Sequence, residues 1–337
     1  MKKSTAIVLL AVALLLIAAG IFLGVTEGFG ARRTENYGDF SDCTEIRAST
    51  DDLDLCLYSA SGDRLEVDVY HTDRVQLDSV NGVLTITQRP ETFRDRWFRL
   101  FRRDKAQVVV WVPEGQLRSV TAEVGSGSFT ANDLPAETAS LNVTAGSGDV
   151  SLYGSSFAGI TASASSGTVF TGDLTVGEGL IVKVSSGSIS LSETRARRVE
   201  LNASSGDIWL GGMDAEEELA IRTSSGEVSL SQAQAGQLQI RTTSGDVWAE
   251  TIRSAGSIAV SSTSGGVSLT VPESPELQIE STSGDVWCVL PGRHEDYAVT
   301  ASTGSGRVSG VHSDHGEGAK TVTVTTTSGD ISLDYAG

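Results

Sequence analysis

The Ser-Gly pair that recurs from Ser126-Gly127 to Ser328-Gly329 constrains this chain more than any other feature. Its glycines are Gly127, Gly148, Gly167, Gly187, Gly206, Gly226, Gly245, Gly265, Gly284, Gly306 and Gly329, at successive gaps of 21, 19, 20, 19, 20, 19, 20, 19, 22 and 23 residues. With each glycine as position zero, apolar or small residues recur at minus seven, minus five and minus three, then at plus two and plus four. One copy reads Leu219, Ile221, Thr223, Gly226, Val228, Leu230, and the next reads Leu238, Ile240, Thr242, Gly245, Val247, Ala249. Alternation on both sides of the glycine predicts two short strands, each with one face buried. The glycine and its follower are read as the turn, where a positive φ costs glycine little.

An antiparallel meander would also alternate, but it would not need the same residue at the same place in every copy. Stacked coils do need it, because each coil sets its side chains above their counterparts one strand spacing away. Residues 116–337 are therefore expected to form an all-β fold, a β-solenoid of about eleven coils of 19–23 residues. At ~4.8 Å per coil the rod is roughly 48 Å long. The serines at minus one, such as Ser205, Ser225, Ser244, Ser264 and Ser283, are expected to form an inward ladder beside the turn. The last coil, Val322 to Leu333, has no visible cap after it, so its edge is expected to be free to pair with another chain. Residues 43–115 carry further strand-like runs and read as a β-rich cap at the start of the rod.

Ahead of the repeats, Ala6 to Val25 form one apolar stretch without a charge, long enough for a single transmembrane helix. Lys2 and Lys3 favour a cytoplasmic N-terminus and an extracytoplasmic body. The expected layout is a cytoplasmic stub and membrane helix over 1–25, a Gly-containing linker over 26–42, the cap, and the solenoid. The charge balance, 25 Lys and Arg against 43 Asp and Glu, argues against a nucleic-acid partner, which needs clustered cations. The bilayer itself, through residues 6–25, is an expected partner, and a cell-wall glycan or a membrane protein is a second.

The chain resembles the bacterial family of putative adhesins with β-strand repeats. The resemblance rests on the single N-terminal span, on Trp97-Phe98 leading to Val108-Val109-Val110-Trp111-Val112-Pro113, and on the repeated Ser-Ser-Gly-Asp turns followed by Ile or Val. Relatives of this kind occur beside cell-envelope stress genes, so the resemblance implies an extracytoplasmic role and nothing sharper, and it supplies no catalytic residue to carry over.

Candidate functional residues come from the outward positions. The plus-three row reads Thr130, Ser151, Phe170, Ser190, Trp209, Ser229, Trp248, Ser268, Trp287, Ser309 and Ser332. From Phe170 to Trp287 its aromatics fall on every second coil, about 9.6 Å apart. An acid precedes each tryptophan by two residues: Asp207, Asp246 and Asp285. An aromatic face beside a carboxylate suits a sugar ring or a peptide, and the expectation is a linear glycan or wall polymer along this row. The competing expectation is that the indoles only cover the sheet.

A second candidate is the segment from Phe93 to Lys105, where Arg94, Arg96, Arg99, Arg102, Arg103 and Lys105 interleave with Trp97 and Phe98. Such a mixture suits an anionic membrane surface, where each cation contributes about 1 kcal/mol. A hairpin packed on the first coil is the alternative. The acids at plus one read as solvated turn caps rather than as calcium ligands. His294, His312, Asp314 and His315 are too sparse for a metal site to be expected. Cys43 and Cys56 are 13 residues apart and could pair if the body is outside, and Cys288 falls at an inward position. No cofactor is expected. A polysaccharide lyase or hydrolase is the enzyme alternative, but most coils lack the insertions that build a catalytic cleft, so a non-catalytic binding role is the reading.

Overall fold

The computed structural model describes residues 40–72, 74–92, 105–313, 316 and 319–337. They form an all-β β-solenoid, a single stack of parallel strands in register. The register follows the sequence repeat closely: Ser190 pairs with Trp209, Trp209 with Ser229, Ser229 with Trp248, Trp248 with Ser268 and Ser268 with Trp287. Among the described residues no helix is long and apolar enough to cross a membrane. The expected span over 6–25 lies outside them, as does most of the linker.

Each coil has three sides. The two strands flanking the glycine supply inward pairs such as Leu219 and Ile221, then Val228 and Leu230, all buried. A third side adds inward residues at plus seven and plus nine, as in Leu174 and Val176 or Met213 and Ala215, each at most 2% exposed. The corner between the second and third sides is left-handed. Asp133 (φ 53), Asp173 (φ 52), Glu193 (φ 44), Gln232 (φ 57), Thr251 (φ 54) and Val271 (φ 55) occupy it, with Gly154 and Gly212 in two further coils. The third corner is a register shift, seen between Val176 and Gly179 and between Ala215 and Glu218.

The glycine turns differ from the expectation of a positive φ. From Gly127 to Gly284 the turn glycines lie outside the left-handed region. Glycine is needed there because the backbones of successive coils nearly touch. A Cβ on Gly148 would overlap the carbonyl oxygen of Gly127, one on Gly206 that of Gly187, and one on Gly284 that of Gly265. The hydroxyl ladder also sits elsewhere than expected. Ser205, Ser225, Ser244, Ser264 and Ser283 are exposed. The inward polar row is at minus three, where Thr223, Thr242, Ser262, Ser281 and Thr326 are buried. There Thr223 and Thr242 Oγ1 accept the N–H of Gly226 and Gly245, at 3.1 and 2.9 Å, which satisfies turn amides at the core edge.

At both ends the stacking order departs from chain order. The strand Glu45–Thr50 pairs with Val83–Gln88 on one side and Ser119–Val124 on the other, and Asp54–Ala60 lies likewise between Gln107–Pro113 and Phe129–Asn132. The first coil in the chain is thus second in space. Antiparallel strands, Val75–Val80 and Glu66–Tyr70, cover the outermost coil and blunt its edge. The far end mirrors this arrangement. The final coil, Lys320–Ser328 and Ile331–Tyr335, is inserted between Glu276–Ser283 with Val286–Leu290 and Tyr297–Ser305 with Val308–Ser309. The free edge at that end therefore belongs to Tyr297–Ser305 and not, as the chain order suggests, to the last coil.

Candidate ligand-binding face

The second side of the coil carries the outward plus-one, plus-three and plus-five columns. In the plus-three column Trp209, Trp248 and Trp287 are 45%, 51% and 43% exposed. Serines occupy the coils between them, and Phe170 continues the series half-buried. Trp287 Nε1 donates to Asp334 Oδ2 at 3.1 Å. Toward the N-terminal end the side closes with Tyr58 and Trp111, whose ring centroids lie 5.4 Å apart, and Trp111 Nε1 donates to Asp68 Oδ2 at 3.1 Å.

The acids beside the tryptophans have a defined structural task. Asp207 Oδ1 accepts the N–H of Glu227 at 2.9 Å, Asp246 Oδ1 that of Gly266 at 2.8 Å, and Asp285 Oδ1 that of Asp330 at 2.8 Å. Asp149 does the same for Thr168, and Asp54 for Ser128. Each carboxylate bridges to the next coil through one oxygen, leaving the other for solvent or a ligand. Sequence reasoning passed over Glu250 and Asp334, which lie at plus five, on the same side as the tryptophans. The signal was present, since residues two apart on a strand share a face. From Gly127 to Gly284 the outward positions of this side hold no Lys or Arg. It is an aromatic stripe rimmed by carboxylates.

The other candidates lie apart from it. Arg94, Arg96, Trp97, Phe98, Arg99, Arg102 and Arg103 fall outside the described residues. Their segment lies in the chain between Val83–Gln88 and Gln107–Pro113. Lys105 at its end stands 3.9 Å from Asp54 Oδ2. The three cysteines are free thiols. Cys43 Sγ lies 3.1 Å from Ser79 Oγ, while Cys56 sits in the plus-three column beside Thr130, so the two do not bridge. Burial and then the nearby Asp54 push the Cys56 thiol up, and burial pushes Cys288 up to about 12. The rings of His294 and His312 meet at a tilt of 36° with centroids 4.4 Å apart, next to Tyr335. Asp314 and His315 lie outside the described residues, among which no group of three potential ligands gathers. A shallow groove of about 450 Å³ runs along the corner of successive coils, lined at minus three by Ala145, Ala164, Val184, Ala203 and Thr223.

Comparison with known proteins identifies the family. The model of the Toastrack DUF4097 family matches residues 43–334, and the chain belongs to that family. No curated protein matches it. Among solved structures, one from Parabacteroides merdae, described as a putative adhesin, is 15% identical with a TM-score of 0.42, covering 77% of this chain and 95% of that one. Another from Parabacteroides distasonis, described as a putative lipid binding protein, is 14% identical with a TM-score of 0.40, covering 92% of this chain and 98% of that one. A second Parabacteroides distasonis structure, again described as a putative adhesin, is 16% identical with a TM-score of 0.37, covering 77% and 96%.

Proposed function

We propose that this protein is a non-catalytic binding rod of the cell envelope. In this reading residues 6–25 anchor it in the membrane with the N-terminus inside and the solenoid outside. The rod presents its aromatic column to an envelope component, either a wall glycan or a segment of a membrane protein. One observation carries the reading: Trp209, Trp248 and Trp287 stand in one straight column, each close to half exposed. Exposed indoles in line are costly to leave in water, and such stripes mark interaction surfaces.

Docking on a membrane partner, as an accessory of the envelope stress response, is favoured over a wall glycan by the carboxylate rim, because the acids repel anionic wall polymers. The basic and aromatic segment around Arg94 to Arg103 is assigned to the membrane surface. The test is retention of the full chain on isolated cell walls, on anionic liposomes and on solubilised membrane proteins. Retention by walls or membrane proteins is expected, with liposome binding that weakens as salt rises. Failure to bind any of the three overturns the proposal.

A further inference from the structure

We infer that the aromatic column takes a basic, proline-rich segment in the polyproline II conformation, laid along the rod axis. The inference rests on the binding role proposed above and names the occupant of that face. Its first support is commensurate spacing. Trp209, Trp248 and Trp287 occupy alternate coils, with Ser229 and Ser268 between them in register. Two strand spacings give about 9.6 Å. A polyproline II helix has three residues per turn and a rise of about 3.1 Å, so the same face returns every ~9.3 Å. Over the two turns between Trp209 and Trp287 the accumulated mismatch is only about 0.6 Å, well within side-chain play. An extended β-strand returns the same face every two residues, about 6.8 Å, and drifts out of step with the indoles at once.

The second support is hydrogen-bonding chemistry. A polyproline II helix makes no internal hydrogen bonds, so its carbonyls need donors. The indole N–H groups of Trp209 and Trp248 have no partner among the described residues. They can supply donors while the ring faces hold prolines, the pairing by which aromatic surfaces capture proline-rich segments. Charge complementarity is the third support. Asp207, Glu227, Asp246, Glu250 and Asp285 flank the indoles, and the outward positions of this side hold no Lys or Arg from Gly127 to Gly284. One oxygen of Asp207, Asp246 and Asp285 is held by a backbone amide, and the second has no partner among the described residues, which leaves it for a lysine or arginine.

The experiment measures binding of the full chain in detergent to (Pro-Pro-Lys)4, (Gly-Ser-Lys)4, (Pro-Pro-Glu)4 and a chitosan oligosaccharide. The first peptide is expected to bind at least ten-fold more tightly than the other three. Trp248→Ser combined with Ser229→Trp keeps the number of indoles but moves the middle one by a coil. It should weaken (Pro-Pro-Lys)4 about ten-fold with an unchanged melting temperature. Glu250→Lys, a milder change at an exposed side chain, should weaken (Pro-Pro-Lys)4 several-fold and strengthen (Pro-Pro-Glu)4. Equal binding of (Gly-Ser-Lys)4, tighter binding of the glycan, or indifference to both variants overturns the inference. If (Pro-Pro-Lys)4 fails while loss of all three tryptophans still abolishes envelope binding, the occupant is wrong and the face stands. If that loss leaves envelope binding intact, both readings fall.

Discussion

The backbone N–H of Gly266 donates to Asp246 Oδ1 at 2.8 Å across the gap between successive coils. The same bond recurs from Asp207 to Glu227 and from Asp285 to Asp330, so the acid of each tryptophan-bearing coil is a staple to its neighbour. Replacing Asp246 with Ala removes the acceptor and is expected to cost about 1 kcal/mol at this exposed site. Asp246→Asn keeps an acceptor oxygen and should lose much less. Hydrogen exchange at the Gly266 amide reads the difference directly: faster in the alanine variant, near wild type in the asparagine variant.

The turn glycines give a sharper contrast. A Cβ on Gly206 would overlap the Gly187 carbonyl, whereas one on Gly211, five residues later, meets nothing within 4 Å. Gly206→Ala should force two coils apart and cost roughly 3 kcal/mol, the upper end of what core overpacking usually costs. Gly211→Ala should be within about 0.5 kcal/mol of wild type. Denaturant melts of the two variants make the comparison.

Val271 holds a φ of 55, left-handed for a β-branched residue, while its N–H donates to the Val289 carbonyl at 2.8 Å. The left-handed conformation costs an L-residue about 1–2 kcal/mol, and glycine gives back part of that in unfolded-state entropy. Val271→Gly is therefore expected to stabilise the protein by roughly 0.5–1 kcal/mol. A rise in thermal midpoint is the expected reading, and a fall would show that the Val271 side chain contributes more than its backbone strain costs.

Cys288 is fully buried, and burial lifts its thiol from an ordinary value of 9.0 to about 12. Between those values the unfolded chain has lost a proton that the folded chain keeps. Stability is therefore full below pH 9 and falls as pH rises toward 12, at up to about 1.4 kcal/mol per unit. Burial also raises the Tyr297 hydroxyl to about 12, so alkali strains the same end of the rod twice. Cys288→Ala should flatten part of this decline in melts taken across pH 8–11. In native protein at pH 8 the Cys288 thiol should resist alkylation.

Much of the fold was legible because period-two alternation around Gly226, Gly245 and their counterparts leaves little freedom in register. The outward stations of Trp209, Trp248 and Trp287 followed from that parity. The left-handed corner was not legible, because Asp133, Gln232, Thr251 and Val271 share a backbone conformation but no side-chain chemistry. The buried polar row was misplaced by two residues: Thr223 and Thr242 look like strand residues, and the serines beside the glycine look like capping groups. The interchange of coils at the two ends was hidden for a different reason. Each coil carries the same alternation, so Val322 and Val324 would pack equally well against either neighbour, and the stacking order depends on the connections between coils. The rim acids were seen, but their bonds to the next coil's amides depend on three-dimensional neighbours that sequence spacing alone does not show.

The central claim is that the indole column is the surface that binds. Its most direct measurement compares the full chain with the variant carrying Trp209→Ala, Trp248→Ala and Trp287→Ala, both retained on isolated cell envelope and both checked for an intact fold by thermal melting. The account predicts that the variant folds normally and loses at least ten-fold in retention. Equal retention by the folded variant would contradict it and make the column a cover for the sheet.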